Sequence, residues 1–305
     1  MKVFLTGATG FIGGHILRAL SAHGYLVSCL MRSASRQAVA SRASLKDLPG
    51  VRIVEGEWTR PENWVDHVAG HDMVINAIGI IRETRLASFA QVHTYSPMAL
   101  FETAVRAGVS KIVQISALGA DEMARSGFHR SKLAADHYLA QLGVPYVILR
   151  PSLVYGPGDH SMAFFSRIAR LPVTPVPCDG SYRVQPLSID DLVQAVLIAL
   201  QRPDLSAVVA DIGGSEVLTF NDLLDLLART AGKSRGACKV HIPCSLMSLI
   251  AKVTDKFSGH GPITTEELNM LKRENFTAHS AQFVDLFGFD PVPFSIGITK
   301  HLGAV

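Results

Sequence analysis

Three glycines at a regular spacing near the start of the chain could hold a phosphate group. Gly7, Gly10 and Gly13 lie in the segment TGATGFIG, between a short apolar run and a helical apolar pattern. A diphosphate needs a backbone that approaches closely and N–H groups at a helix N-terminus that point at it. Gly7 would permit a tight turn, Gly10 would leave the phosphates unobstructed, and Gly13 would let helix and strand pack closely. The other predicted contacts of this dinucleotide loop are Thr9, Phe11 and Ile12.

A basic residue ends the second apolar run, where dinucleotide sites place the residue that reads the adenosine ribose. An acidic residue there binds the ribose hydroxyls of NAD, whereas a base binds the additional phosphate of NADP. The chain has Arg32 followed by Ser33, and Arg36 could add a second positive charge. The sequence therefore predicts NADP(H) as the preferred cofactor, with NAD(H) as the alternative.

Two further loops should face the same cofactor, because ligands of open parallel sheets bind at the carboxyl ends of the strands. Glu57 and Trp58 follow the third apolar run, at a place where an adenine could pack. The fourth run ends in a turn whose small residues would let the ribose approach. The predicted contacts in that turn are Ala77, Ile78 and Gly79.

Short apolar runs alternate with helical apolar patterns through the first half of the chain. The runs cover residues 2–6, 25–31, 51–54, 72–78, 111–116 and 146–150. The helical patterns cover residues 11–22, 89–107 and 130–142. This alternation predicts βαβ units, and hence a doubly wound parallel sheet of the Rossmann α/β class with helices on both faces.

The second half of the chain differs from the first in composition and in its pattern of apolar residues. Residues 156–186 are rich in proline and glycine, and a helix over 189–200 and a strand over 207–212 should then complete the sheet. Later helices are expected over 220–231, 244–257, 264–274 and 293–302. The sequence thus predicts an NADP(H)-binding domain of residues 1–155, completed by 187–212. A smaller, mostly helical substrate or lid region would comprise residues 156–186 and 213–305.

The composition excludes several classes of protein. The chain has 305 residues, of which 48% are hydrophobic and 18% are charged, so a sizeable core is expected and disorder is excluded. The formal net charge is only +3 and no basic stripe is present, which argues against binding to nucleic acid. Uncharged stretches such as residues 3–17 are too short to span a membrane, and this one is also rich in glycine.

The cysteines and the first strand predict a cytoplasmic protein. Cys29, Cys178, Cys238 and Cys244 lie far apart without a CxxC motif, so reduced thiols are expected rather than disulfides or a metal site. The first apolar run begins at Lys2, which leaves no room for a leader peptide.

Three smaller patterns have plain structural explanations. His67 and His71 have the i,i+4 spacing of helical metal ligands, but a glycine just before His71 should end that helix. Asp190 and Asp191 open a predicted helix, where they would cap it and complement its dipole. The apolar segment 243–253 would pack against the sheet domain or lie at a membrane surface.

Three later segments follow the glycine loop in an order that resembles a known family. They are ISALGAD at 115–121, RSKLAAD at 130–136 and RPSLVYGPGD at 150–159. With the glycine loop they resemble the short-chain dehydrogenase/reductase superfamily, in its extended or atypical branch of NAD-dependent epimerase/dehydratase-like proteins, over nearly the whole chain. QPLSIDDL at 185–192 and ITTEELNML at 263–271 resemble one subgroup. It contains the nucleotide-binding accessory subunit of respiratory complex I and its bacterial relatives.

The resemblance assigns catalytic positions and shows one departure. In active members a Ser, a Tyr and a Lys act together, with the Tyr four residues before the Lys on the same side of a helix. Ser116 matches the serine, which would polarise the substrate, and Lys132 matches the lysine, which would hold the nicotinamide ribose. Pro151 would lie behind the nicotinamide. The tyrosine position is Phe128, which has no exchangeable proton and cannot be a general acid or base.

No replacement for the tyrosine stands at a position that the family uses for proton transfer. His129 lies about 100° round the helix from Phe128 and should point elsewhere. Other candidates near the predicted site are Tyr155, His160, His93 and Tyr95. In an active protein, hydride would pass between nicotinamide and substrate, and water or an unidentified residue would supply the proton.

Two functions of different classes are therefore predicted. The first is an NADP(H)-binding oxidoreductase or epimerase/dehydratase-like enzyme that acts on a small molecule. The second is a catalytically silent NADP(H)-binding sensor or accessory subunit, which Phe128 favours and which would associate with a respiratory complex or a membrane surface. A third hypothesis is an isoflavone-reductase-like enzyme, in which a lysine elsewhere acts as acid and base. The sequence has no distinctive feature that supports it.

Overall fold

The structure is a computed structural model that describes residues 1–32, 45, 47–234, 236–256, 263–278 and 280–302. Its contacts divide the chain into two units. The first comprises Met1–Arg150 and Leu192–Ala210, and the second comprises Pro151–Asp191 and Asp211–Val305. Each unit is therefore built from two separate stretches of sequence.

The regular elements have the following bounds. The strands are β1 (Lys2–Thr6), β2 (Leu26–Met31), β3 (Val51–Glu55), β4 (Met73–Asn76), β5 (Lys111–Ile115), β6 (Tyr146–Pro151), β7 (Val154–Tyr155), β8 (Thr174–Pro177), β9 (Arg183–Val184), β10 (Leu187–Ser188), β11 (Val208–Ile212), β12 (Leu218–Thr219) and β13 (Lys239–Ile242). The α-helices are α1 (Phe11–Ala22), α2 (Ser96–Arg106), α3 (Gly127–Gln141), α4 (His160–Arg170), α5 (Ile189–Gln201), α6 (Phe220–Thr230), α7 (Cys244–Lys256), α8 (Thr265–Lys272), α9 (Ser280–Phe287) and α10 (Phe294–Leu302).

A seven-stranded parallel sheet forms the centre of the fold, in the order β11-β6-β5-β4-β1-β2-β3. The strand order reverses at β1, which pairs with β2 on one side and with β4 on the other. Such a reversal opens a crevice at the carboxyl end of the strand, where ligands of these folds bind. The predicted Rossmann sheet is confirmed.

The central strands are continuous apolar runs because helices cover both of their faces. All residues of β4 and β5 are buried, whereas the edge strand β3 is largely accessible. The helix predicted over 89–107 divides into a π-helix, Ala90–Tyr95, and α2. Pro97 explains the division, since it has no N–H to donate to the carbonyl four residues earlier.

The second unit has its own core of aromatic and aliphatic side chains, in which Tyr155, Phe220 and Phe294 are buried. The same unit contains small two-stranded sheets, namely β10-β7, β12-β9 and β13-β8. In the predicted segment 243–253, α7 buries Met247 and Ala251 and exposes Leu246, Leu249 and Val253. Across the described ranges, no helix has both the length and the apolar character needed to cross a bilayer.

The expectation that all cysteines are reduced is wrong for one pair. Cys178 and Cys244 form a disulfide. The reason is the parallel pairing of β8 with β13, which brings the residues just after the two strands together; the N–H of Cys178 donates to Ile242 O. Cys29 is a buried free thiol and Cys238 is an exposed one.

Candidate functional site

The glycine loop joins the end of β1 to the beginning of α1. Gly7 has φ of +81°, and a Cβ there would come within 2.6 Å of the main-chain carbon of Ala77. A Cβ on Gly13 would overlap the carbonyl oxygen of Gly7. Only glycine therefore permits this close packing of the loop on the neighbouring turn and on the helix.

The outer side of the loop fits a diphosphate. A Cβ on Gly10 would meet the Gly7 carbonyl oxygen at 3.3 Å and, apart from its two chain neighbours, no other described residue within 4 Å. The N-terminus of α1 follows directly, so its first N–H groups lie beside this open backbone. Thr9 is exposed, and Phe11 and Ile12 are partly exposed. The loop thus has the close backbone and the helix end that its sequence predicts.

A row of buried polar side chains lies beneath the loop. Thr6 Oγ1 donates to Asn76 Oδ1 at 2.6 Å, and Asn76 Nδ2 donates to Gln114 Oε1 at 2.8 Å. These side chains connect β1, β4 and β5, the three adjacent strands at the crevice, and all three are fully buried. Thr6 and Gln114 are missing from the sequence-based predictions, although a polar residue inside an apolar run such as KIVQI was a visible signal.

Lys132 reaches the turn that follows β4. Its Nζ donates to Ile78 O at 3.1 Å and to Ile115 O at 3.0 Å, so one of its three N–H groups has no partner in these bonds. Gly79 lies beside the same ammonium group, since a Cβ there would be in ordinary contact with Lys132 Nζ at 3.5 Å. Burial lowers the pKa of Lys132 to about 8, and the nearby Asp136 opposes this effect. The predicted residues 77–79 and Lys132 are therefore adjacent.

Asp136 forms a second buried network behind Lys132. Its Oδ2 accepts from Ser116 Oγ at 2.7 Å and from Arg150 Nε at 3.0 Å. Burial raises the pKa of Asp136, whereas Arg150, Ser116 and Lys132 all favour the ionised carboxylate. Asp136 and Arg150 are missing from the sequence-based predictions. The four-residue spacing of Lys132 and Asp136 on one helix was the available signal.

Phe128, at the tyrosine position of the family pattern, belongs to an aromatic cluster. Its ring makes edge contacts with Phe89, His93 and His129, at centroid distances of 5.9, 5.3 and 5.1 Å. Phe89 in turn stacks on His93 at 5.4 Å. Such edge-to-face contacts are favourable, so the phenyl ring is well accommodated in the first turn of α3.

His93 is held as a neutral ring. Its Nε2 accepts from the N–H of Ile80 at 3.0 Å, so the proton must lie on Nδ1, which is 3.0 Å from Ser131 Oγ. Ser131 Oγ donates its own hydrogen bond to the carbonyl oxygen of Phe128 at 2.8 Å. Burial, with a contribution from Lys132, lowers the pKa of His93 to about 2. Both ring nitrogens are engaged, so His93 has no free proton to give.

The other candidate proton donors lie in different surroundings. His129 is buried and its Nδ1 contacts Ser126 Oγ at 2.7 Å, at the start of α3. Tyr155 lies in the core of the second unit beside Phe294, and burial raises the pKa of its hydroxyl. His160 is exposed at the start of α4, and Tyr95 is 62% exposed.

The adenosine end of the predicted site is described in part. Arg32 is exposed just after β2, whereas Ser33 and Arg36 lie outside the described residues. The indole of Trp58 is buried, stacks on Trp64 at 5.1 Å and donates to Val92 O. An adenine at this loop would therefore meet Glu57 or the main chain rather than that indole. Pro151 is buried at the end of β6.

The histidine pair and the acidic pair have structural roles. His67 ends a short 3₁₀ turn, and His71 lies beyond it with Nδ1 3.0 Å from Val68 O. Asp191 Oδ2 accepts a hydrogen bond from the N–H of Val292 at 2.9 Å. The main-chain N–H of Asp190 donates to Ser188 Oγ at the start of α5. In the part of the chain that the structure describes, no cluster of three His, Cys, Asp or Glu side chains could hold a metal ion.

Sequence comparisons place the chain among dinucleotide-dependent proteins. The model of the NAD dependent epimerase/dehydratase family matches residues 3–213. Ceramide reductase of Caulobacter vibrioides is 31% identical over 207 residues, which are 68% of this chain and 63% of that protein. NADH dehydrogenase [ubiquinone] 1 alpha subcomplex subunit 9, mitochondrial, of Dictyostelium discoideum is 26% identical over 222 residues, 72% of this chain and 61% of that protein. The match thus spans less than two thirds of either relative.

A solved structure agrees with the fold. A mutant UDP-glucuronic acid 4-epimerase of Bacillus cereus, in complex with UDP-4-deoxy-4-fluoro-glucuronic acid and NAD, superposes with a TM-score of 0.75. It is 20% identical, and the superposition covers 99% of this chain and 98% of that chain. At this level of identity the likeness concerns the fold.

Proposed function

Because the chain belongs to the NAD dependent epimerase/dehydratase family, we propose that it binds NADP(H) and acts as an oxidoreductase on a small molecule. One observation carries this proposal. The turn 77–79 touches both functional parts of the site: it packs on Gly7 of the glycine loop, and its Ile78 carbonyl holds Lys132. A dinucleotide with its diphosphate on the loop would therefore extend along this turn toward Lys132.

The preference for NADP(H) over NAD(H) rests on Arg32. Its side chain is exposed just after β2, the place from which Rossmann proteins read the adenosine ribose. A guanidinium there favours a 2′-phosphate, because it can form two parallel charge-assisted hydrogen bonds with it.

The chain's own residues would bind and orient the reactants. The bound nicotinamide would donate or accept the hydride. Lys132 would hold the nicotinamide ribose with its remaining N–H, while Asp136 stabilises the charge of Lys132 from behind.

The accompanying proton needs a source other than tyrosine. Phe128 has none to give, and both nitrogens of His93 are engaged. Lys132, with a pKa of about 8, and water are the remaining sources at the turn 77–79. Ser116 could polarise the substrate only if its hydroxyl proton left Asp136. An epimerase- or dehydratase-like reaction would face the same requirement.

A second candidate function is a catalytically silent NADP(H)-binding accessory subunit or sensor. The observation that favours it is the aromatic cluster of Phe128, which fills the tyrosine position with packed rings. The similarity to a subunit of NADH dehydrogenase agrees with it. Such a protein would associate with a respiratory complex or a membrane surface.

The two functions separate in one experiment. Purified protein is titrated with NADPH and NADH, then incubated with NADPH and a cell metabolite extract, and product formation is followed by mass spectrometry. The Phe128→Tyr variant runs in parallel, with Phe89→Tyr as the matched aromatic control. Turnover by the natural chain supports the oxidoreductase. NADPH binding without turnover in the natural chain supports the silent subunit, most directly if Phe128→Tyr does react. A chain that binds neither dinucleotide contradicts both.

A further inference from the structure

The first unit contains a second cleft, with a volume of about 360 Å³. Two chain segments form it: the one after β3 and the one that leads from β4 to the π-helix. Its polar lining residues are Thr59, Arg60, Thr84, Arg85, Ser88 and Gln91. None of them belongs to the glycine loop or to the turn 77–79, and the proposed binding of a dinucleotide gives them no role.

The side chains of this cleft carry more hydrogen-bond donors than the described acceptors around them use. Ser88 Oγ accepts from the N–H of Gln91 at 3.2 Å, and Thr84 Oγ1 accepts from the N–H of Leu86 at 3.3 Å. Each hydroxyl keeps its own proton to donate, and the structure shows no acceptor for either among the described residues. Two exposed arginines add five N–H donors each.

Among the residues that the structure describes, no acidic side chain lines the cleft. Among the described residues, neither Arg60 nor Arg85 has a carboxylate within salt-bridge distance. The acid closest in sequence to Arg85 is Glu83, and its Oε1 already accepts from the N–H of Phe89 at 2.7 Å. The lining is therefore positively charged, with donors in excess of acceptors.

Hydrogen bonds connect the two chain segments that form the cleft and also order the loop within one of them. Gln91 Nε2 donates to Thr59 O at 3.1 Å, which joins the segment after β3 to the π-helix. Thr84 and Ala87 exchange two main-chain hydrogen bonds, of 2.9 and 3.3 Å, which close the loop between them. The hydroxyls are thus presented from a backbone that is already ordered, and ordering it costs a ligand little.

We propose that this cleft binds a small phosphate monoester, with the phosphate on Arg60, Arg85 and the hydroxyls of Thr84 and Ser88. Planar guanidinium forks match phosphate oxygens in pairs, and hydroxyl donors complete the shell. The volume exceeds that of a bare phosphate ion, so an organic group fits as well. Leu86, which is 91% exposed, and Ala87 line the same cleft and offer that group an apolar contact.

Calorimetry on the full chain tests this site, with inorganic phosphate and phenyl phosphate as probes. Each titration is run without dinucleotide and again with NADPH at a saturating concentration. The double variant Arg60→Ala/Arg85→Ala should bind both probes at least tenfold more weakly than the natural chain. Arg52→Ala is the matched control, because Arg52 is an exposed base on β3 that does not line the cleft. Ser88→Ala should weaken binding a few-fold.

Three results would overturn the proposal. The first is unchanged affinity in the double variant, and the second is an equal loss in Arg52→Ala, which would reveal general charge attraction. The third is displacement of both probes by NADPH, which would make the cleft part of the dinucleotide site. If the chain binds no NADPH, the comparison of variants without dinucleotide decides alone, so failure of the proposed function stays distinguishable from failure of this site.

Discussion

Ser116 donates its hydroxyl proton to the carboxylate of Asp136, at a distance of 2.7 Å. The bond connects the residue just after β5 to the middle of α3, and Arg150 at the end of β6 donates to the same oxygen. A serine that would polarise a substrate in the family pattern thus has a structural partner in this chain. Removing the Ser116 hydroxyl should therefore reduce the stability of the fold more than it reduces cofactor binding.

Ser116→Ala should lower the free energy of unfolding by about 1–3 kcal/mol, because it leaves a buried carboxylate with one donor fewer. Affinity for NADPH should change less than twofold. Urea unfolding and a dinucleotide titration measure both quantities. Ser110→Ala is the control, since Ser110 is an exposed serine bonded to a main-chain carbonyl, and it should cost less. Unchanged stability with a hundredfold loss of turnover would instead place Ser116 on the substrate.

Gly13→Ala should weaken NADPH binding at least tenfold and destabilise the chain by about 1–3 kcal/mol, because the new methyl group overlaps the Gly7 carbonyl. Gly14→Ala is the matched control on the same helix. Its Cβ would lie 3.3 Å from Ala8 O, a contact that a small shift relieves. Fluorescence titration and thermal unfolding measure the two effects. Equal losses in both variants would argue against a specific role of the loop.

Arg32→Glu should reverse the cofactor preference. A charge-assisted bond contributes about 1.5–3 kcal/mol, so NADPH should bind at least tenfold more weakly while NADH keeps or gains affinity. Arg52→Glu makes the same charge change elsewhere and should affect the two cofactors equally. The measurement is a pair of dissociation constants for each variant. An NADPH preference that survives in Arg32→Glu would contradict the assignment.

The affinity for NADPH should fall as pH rises through about 8, the pKa of Lys132, because the ammonium loses its charge there. Burial depresses this pKa below its value of 10.5 in the unfolded chain. The unfolded state therefore binds more protons between these values, and stability relative to Lys132→Met should rise with pH across that window. Lys132→Met should bind weakly at every pH. His93 stays neutral throughout, since its pKa is lowered to about 2.

Replacing Cys178 and Cys244 together with serine should lower stability by about 2–5 kcal/mol, because the disulfide closes a loop across a sequence separation of 66 residues. Thermal unfolding with and without a reductant measures the effect. The reductant should lower the melting temperature of the natural chain but leave the double variant unchanged. Cys238→Ser is the control, since that thiol is free and exposed. A peptide map with both thiols free after oxidative purification would contradict the pairing.

The sequence could predict those features that depend on local patterns of residue type and spacing. The glycine spacing and the alternation of apolar runs predict the sheet and the glycine loop at its first strand without any knowledge of distant contacts. The place of Lys132 follows from its family motif. Asp136 could not be assigned in the same way, because its role depends on Ser116 and Arg150, which only the assembled strands β5 and β6 bring to it.

The disulfide and the role of His93 depend on tertiary structure. Cys178 and Cys244 meet only because β8 pairs with β13, and β13 is a strand of four residues without a clear pattern. His93 becomes neutral through burial and through Ile80, a partner in the loop before the π-helix. Sequence alone can name these residues as candidates but cannot give their protonation or partners.

The interleaving of the two units has a consequence for biosynthesis. On the ribosome, β6 emerges long before β11, its neighbour in the sheet, because residues 152–207 must be translated in between. During that interval the nascent sheet has an open edge of unpaired N–H and C=O groups, which can pair with another chain. A gene fragment that stops at Arg150 would make this open edge permanent. A dissection of the protein must therefore keep residues 192–212 with the first 151, so that β6 and β11 stay whole.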